Sequence, residues 1–233
     1  MSETPIEAAR NEGRTTLTEA ESKRLLADAG VATTSFVVAD DAAAAADAAE
    51  DIGFPVVVKV SSAAVTHKSE WASGIGVAVG LDSRAAVREA AAEIFEAAET
   101  AGINAGVLVE EARDVDAGTE VIVGGLRDPS FGPVILTGLG GVFTEIYKDT
   151  SHRLAPIGRT EARGAIEELT AIELLEGYRG REPADVEALA DTVAAVGDLV
   201  VKYDAIDEVD VNPVLATADG AVALDALVVL GDD

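Results

Sequence analysis

Lys59 is the one charged residue in the run Val56-Val57-Val58-Lys59-Val60, which otherwise reads as a buried strand. A lone buried ammonium is costly, so Lys59 either has an anionic partner or stands at the strand's end and snorkels to solvent. The loop that follows, from Ser61 to Ser69, is rich in hydroxyls and holds His67, one of two histidines in the chain. Hydroxyls, backbone N–H groups and a cation together suit phosphate oxygens, although a plain solvated loop has the same composition. Glu110 and Glu111 follow Val107-Leu108-Val109. Adjacent carboxylates there could accept from a nucleotide base or ribose, or simply be solvated. Glu120, at the head of the alternating Glu120-Val121-Ile122-Val123, leaves the same two options open. The glycines of Thr137-Gly138-Leu139-Gly140-Gly141 match neither the Walker A spacing nor the dinucleotide fingerprint. Asp210 and Asn212 share one strand face, and an antiparallel neighbour can set Asp225 across from Asn212. That pair is half of a Mg²⁺ site or a polar cross-strand contact.

Short β-branched runs and Ala-rich helical stretches alternate around these residues, the pattern of an α/β protein. Residues 1–16 read as a polar lead. Thr16 and Glu19 have capping-box spacing and open a predicted helix that ends near Gly30. Strands are predicted over Ser35–Val38, Val56–Val60, Gly74–Gly80 and Val107–Val109, with helices over Asp41–Asp51 and Ser83–Ala101. The second half predicts strands at Glu120–Val123 and Val134–Leu136, helices at Thr160–Glu176 and Pro183–Val201, and a closing hairpin of Ile206–Leu215 with Val222–Leu230. The simplest architecture is two α+β subdomains, 17–109 and 110–233, after the lead segment.

The 233 residues can bury a substantial core, and 48% hydrophobic with 26% charged residues is a globular composition. Asp and Glu total 43 against 17 Lys and Arg, a net charge of −26. That field repels phosphate backbones and anionic lipids, which excludes broad nucleic-acid or membrane-surface binding. The acids are spread over helical segments and do not form one tail, and only five basic residues are lysines. A diffuse acidic coat reads as a halophilic surface, whose self-repulsion concentrated salt screens; a merely acidic mesophilic protein is the plainer reading. No apolar run approaches the ~18–20 residues of a bilayer span, and MSETPIEAARNEGR lacks the apolar stretch of a signal peptide. There are no cysteines, which removes disulfides, Cys–zinc sites and thiol catalysis and makes the cytoplasm the expected location.

Leu17–Leu26, Gly53–Val60, Thr66–Gly76, Phe131–Pro133 with Gly138–Glu145, Asp149–Pro156 and Asp210–Pro213, in this order, resemble the ATP-grasp fold. More narrowly, the chain resembles the β subunits of ADP-forming acetate–CoA ligases, acyl-CoA synthetases related to succinyl-CoA synthetase. The resemblance covers the chain from roughly residue 14 onward. It implies two subdomains enclosing a nucleotide cleft. It also implies that Lys59 contacts nucleotide phosphates, Glu110 or Glu111 lies near the adenine, and Glu120 contacts the nucleotide. Asn212 and Asp225 then match Mg²⁺ ligands, and His67 matches a histidine that carries a phosphoryl group. Arg153 is a further phosphate-contact candidate. One departure stands in the His67 segment, where Glu70 is followed by Trp71 and the family usually has small residues.

The resemblance implies the reaction acetyl-CoA + ADP + phosphate ⇌ acetate + ATP + CoA, with ATP or ADP as substrate. It requires a separate α chain carrying the CoA-binding and acyl-transfer domains, expected in an α₂β₂ assembly. Two other readings compete: a free-standing ATP-grasp ligase acting through an acyl phosphate, and a nucleotide-binding regulatory module without turnover. His67-Lys68-Ser69 together with Lys59, Asn212 and Asp225 speaks against the module, since a sensor need not keep a phosphoryl acceptor.

Overall fold

The computed structural model describes residues 3–141 and 149–231, so positions 142–145 of the glycine-rich motif lie outside the described residues. Helix α1 (Pro5–Asn11) and helix α2 (Glu19–Asp28) lead into strand β1 (Phe36–Ala39) and helix α3 (Ala42–Ile52). Strands β2 (Val56–Ser61) and β3 (Val77–Leu81), helix α4 (Arg84–Ala101) and strand β4 (Gly106–Glu111) follow. The second half holds β5 (Thr119–Asp128), β6 (Gly132–Leu139), β7 (Thr150–Leu154), α5 (Arg159–Glu167) and α6 (Val186–Lys202). It closes with β8 (Ile206–Thr217), β9 (Gly220–Ala223) and β10 (Ala226–Leu230).

The chain forms two compact units, a smaller one of 18–20 and 34–113 and a larger one of the described residues among 1–17, 21–33 and 114–233. This differs from the expected division at 17–109 and 110–233. Leu17, Leu25 and Leu26 join the larger unit's core with Val211, Val214 and Val228, and Leu17 N–H donates to Val228 C=O at 3.0 Å. Burying such aliphatic side chains contributes about 1.5–3 kcal/mol each, which outweighs their place in the sequence.

The smaller unit is a four-stranded antiparallel sheet in the order β1-β4-β2-β3. Asp41 caps α3 by accepting from Ala43 and Ala44 N–H, and Ser83 caps α4 from Ala86 N–H. Gly102, with φ 66°, stops α4 in the left-handed region. The small faces of both helices (Ala45, Ala49, Ala91, Ile94) pack with Val56, Val58 and Val60 of β2 and with Val107 and Val109 of β4. Strand alternation therefore puts Lys59 and Glu110 on the other sheet face.

The larger unit is a six-stranded antiparallel sheet, β10-β8-β5-β6-β7 with β9 on β8. Its core joins α6 residues Val193, Val196 and Val200 to Val121, Val123, Ile135, Val209 and Val211. The supposed polar lead contains α1, capped reciprocally by Thr4 and Glu7, with Ile6 and Ala9 buried. Thr16 bridges Val229, and α2 begins only at Glu19, three residues beyond it. The helix expected over Thr160–Glu176 ends at Glu167 because the Asp149 carboxylate takes the N–H groups of Thr170 (2.8 Å) and Ala171 (3.0 Å). A continuing helix would need those donors for its own ladder. Strand β7 was not expected, and the strand expected from Gly74 starts at Val77.

Candidate functional site

In the smaller unit, β2 is buried on both faces and Lys59 is 7% exposed. Its register pairs Lys59 with Leu108 and Val57 with Glu110, so Lys59 and Glu110 are diagonal neighbours on one face. The ammonium lies 2.6 Å from Glu110 Oε1 and 2.7 Å from Glu19 Oε1. Glu110 Oε2 accepts from the Thr34 hydroxyl at 2.6 Å. The anionic partner that a buried lysine requires is thus two buried carboxylates of its own chain. Glu111 sits on the opposite face, one-third exposed, and pairs with Arg113 at 3.1 Å. The two adjacent glutamates therefore have different settings: Glu110 neutralises Lys59, and Glu111 pairs with Arg113 on the other face.

His67 is exposed on the loop between β2 and β3, flanked by buried Val65 and by Lys68, whose ammonium lies 3.3 Å from Glu19 Oε2. Trp71, the departure from the family pattern, is half-buried against the core under α3 and α4.

In the larger unit, Val211 pairs with Ala226 and Asp210 with Leu227. Asn212 and Asp225 come next, and Asn212 N–H donates to Asp225 C=O at 3.2 Å. Asn212 is exposed and Asp225 half-buried, with its carboxylate accepting from Ala226 N–H at 2.8 Å. Glu208 and Asp210 share the Asn212 face by alternation. Burial pushes the Asp210 carboxyl above its ordinary range, and the like charges of Glu208 and Asp225 push it further. An all-oxygen donor set with crowded negative charge fits a hard divalent cation such as Mg²⁺. Among the described residues no group of three or more His, Asp or Glu is arranged to hold a metal.

Glu120 stands at the head of β5 and lines a cavity of about 530 Å³ with Thr119, Leu139, Tyr178, Arg179 and Arg181. Gly140 N–H donates to Glu120 C=O at 2.7 Å, and a Cβ on Gly140 would lie 2.9 Å from Glu120 Cβ. That glycine serves close approach of two strands. Arg153, on β7, donates to Ser151 Oγ (3.0 Å) and His152 C=O (2.8 Å) and pairs with Glu168 at 2.8 Å. The structure thus joins Lys59 to Glu110 and Asn212 to Asp225, and leaves Arg153 on a carboxylate. Sequence reasoning missed Glu19, Arg179 and Arg181. The string Gly177-Tyr178-Arg179-Gly180-Arg181 offered a signal, two arginines set among glycines in an acidic chain; Glu19 offered none.

The description "ATP-grasp domain" matches residues 8–230. The chain belongs to the ATP-grasp family. It is 41% identical to the β subunit of ADP-forming acetate–CoA ligase I of Pyrococcus furiosus over 97% of this chain and 96% of that one. It is 40% identical to ADP-forming acetate–CoA ligase I of Archaeoglobus fulgidus, over 92% of this chain but only 31% of that longer chain. Among solved structures, it superposes with TM-score 0.83 and 38% identity on a Candidatus Korarchaeum cryptofilum acetyl-coenzyme A synthetase, over 97% of this chain and 98% of that chain. That structure is a complex with coenzyme A and Mg-AMPPCP, its phosphohistidine segment pointing towards the nucleotide-binding site. Within the ATP-grasp family the chain therefore groups with ADP-forming acetate–CoA ligases and covers 96% of one β subunit's length. Among the described residues no helix is long and apolar enough to cross a membrane.

Proposed function

We propose that this chain is the nucleotide-binding β subunit of an ADP-forming acetate–CoA ligase, in which His67 relays a phosphoryl group between an α chain and ADP. The observation that carries this reading is the setting of His67. It is exposed between buried Val65 and the nearly buried Lys68, on a loop leaving a strand that buries Lys59. An imidazole nitrogen with a free lone pair can accept a phosphoryl group. In the direction of ATP synthesis, the N–P bond to His67 breaks, an O–P bond to the terminal phosphate of ADP forms, and the freed ring nitrogen takes a proton from solvent, which leaves the imidazole neutral. Covalent relay divides one transfer between distant groups into shorter ones.

The remaining work is positioning and charge neutralisation. Lys59 answers phosphate charge only while sharing its ammonium with Glu19 and Glu110, which orient it, and Glu111 and Glu120 serve as polar contacts to the nucleotide. Arg153 contributes only if it exchanges Glu168 for phosphate. Asn212 and Asp225 would hold Mg²⁺ together with the nucleotide's phosphates, and the cation would supply further neutralisation of the transferring group. The α partner carries the CoA and acyl chemistry in an α₂β₂ assembly. The location is the cytoplasm, nucleic acid and membranes are not partners, and the acidic coat suits concentrated salt.

The test is mass spectrometry after incubation with Mg·ATP and the α chain. An acid-labile, base-stable phosphoramidate is expected at residue 67 and should be absent from His67→Ala, which still binds ADP. Full ATP synthesis by His67→Ala with its α chain would show direct transfer and reduce His67 to a structural role.

A further inference from the structure

The loop from Ser62 to Gly76 is tied down at several points other than His67. The Ser62 hydroxyl donates to Asn104 C=O at 2.8 Å, and Val65 enters the smaller unit's core. His67 C=O accepts from Glu70 N–H (3.2 Å) and Trp71 N–H (3.1 Å), and Trp71 packs on the core. Gly76 passes so close beneath Lys68 that a Cβ there would lie 2.1 Å from Lys68 C=O, while Val60 N–H donates to Gly76 C=O at 2.8 Å. Ala72 and Ser73 are held at φ 48° and 64°, left-handed values that non-glycine residues adopt only where surrounding contacts over-determine them.

The point next to the imidazole is electrostatic. The Lys68 side chain is 11% exposed, although it belongs to a surface loop, and it reaches a Glu19 carboxylate that is 1% exposed. Ordering and desolvating a lysine costs rotamer entropy and hydration that a solvated loop position would keep. The other oxygen of the same carboxylate accepts from Lys59 at 2.7 Å. One buried carboxylate therefore hydrogen-bonds the strand lysine through one oxygen and forms an ion pair with the residue after His67, at 3.3 Å, through the other. Low local dielectric strengthens both contacts.

We propose that Glu19 is a positioning residue for the relay: by holding Lys59 and Lys68 at once, it fixes the His67 backbone relative to the strand that carries Lys59. The proposal rests on His67 being the phosphoryl carrier. Lys68 enters as the arm of this device and does not contact the nucleotide. A near-attack geometry loses about 100-fold in rate for a displacement near 1 Å, so a loosened loop would impair transfer without impairing binding.

Lys68→Met and Lys68→Arg in the full chain, with the α chain supplied, test this. Lys68→Met should slow phosphorylation of His67 by about 100-fold. ADP affinity by titration calorimetry should stay at the wild-type value, and Lys68→Arg should restore the rate. A second measurement needs no turnover. In ¹⁵N relaxation, the His67 amide order parameter should fall from about 0.85 to below 0.6 in both Lys68→Met and Glu19→Gln. An unchanged order parameter in both variants, or a Lys68→Met rate equal to wild type, overturns the proposal. So does a loss of ADP affinity in step with rate, which would make Lys68 a binding group. If the wild type shows no phosphohistidine at residue 67, the relay itself fails, while the order parameters still report separately whether Glu19 holds the loop.

Discussion

The smaller unit buries its key charges and answers them internally, whereas the larger unit gathers carboxylates of one sign on a half-exposed sheet face. Lys59 and Lys68 meet Glu19 and Glu110 within 3.3 Å, and Thr34 satisfies a further oxygen. Asp210 instead lies among Glu208 and Asp225, and its carboxyl is raised by burial and by their charge. The contrast separates two uses of the same residue type. A closed network of both signs sets geometry, because each member fixes the others. A one-sign cluster holds unfavourable energy that a bound cation would relieve. Substitutions that remove one charge from each should therefore have opposite signs.

The largest effect is expected from Lys59→Met. Removing one member of a buried ionic group strands the other; such losses run to about 3–5 kcal/mol. Glu110 would keep the Thr34 hydroxyl but lose its 2.6 Å ammonium. Urea unfolding of Lys59→Met should show that loss, and Lys59→Met/Glu110→Gln should recover more than half of it. A single variant as stable as wild type would show that the network is not the closed unit its distances describe.

The larger unit has its own satisfied buried carboxylate, and it sharpens the contrast. Asp149, 8% exposed, is answered by the backbone N–H groups of Thr170 and Ala171 and needs no lysine. Burial acts to raise its carboxyl, but these two bonds, with one from the Thr170 hydroxyl, prevail and hold it below the ordinary range. Asp149→Ala should destabilise by about 1.5–3 kcal/mol, the worth of a hydrogen bond to a charged group. Its folded value is depressed, so the contribution is present above the unfolded value near 3.9 and is lost as pH falls through the folded value. The wild-type advantage over Asp149→Ala should hold at pH 7 and vanish in strong acid. An advantage independent of pH would assign the effect to packing.

How much of this was legible follows from where each signal lives. Lys59 stood out because a single charge interrupts a strand pattern, and the demand for an anion followed from burial alone. The Asn212–Asp225 juxtaposition was legible because an antiparallel neighbour with period-two alternation allows it; the register itself is set by the two-residue turn at Ala218-Asp219, with Thr217 paired to Gly220. Glu19 was not legible: its contact with Lys59 spans 40 residues, and nothing in its own helix distinguishes it from the chain's other acids. Helix α1 carried a visible Thr4-Pro5-Ile6-Glu7 capping box, but its seven residues were too few for a periodic signal. The C-terminal end of α5 was unreadable for the reverse reason. The helical pattern continues in sequence, and a carboxylate on another element takes the donors that the helix would use.

The smallest effect, and the one of opposite sign, is expected at Asp210. Its raised folded value means the folded state holds a proton more tightly than the unfolded chain does. Ionised Asp210 therefore costs stability above its folded value, and the cost disappears as pH falls below the unfolded value near 3.9. Asp210→Asn removes the charge while keeping the size, so at pH 7 it should unfold at slightly higher urea than wild type. Lowering the pH towards 4 should close that gap from the wild-type side, because protonation does to Asp210 what the substitution does. Saturating Mg²⁺ at pH 7 should close it too, since a cation on the Asn212–Asp225 face answers the same charge. A wild type that gains nothing from either acid or Mg²⁺ relative to Asp210→Asn would mean that solvent already screens the cluster, and the contrast between the two units would then reduce to one of burial alone.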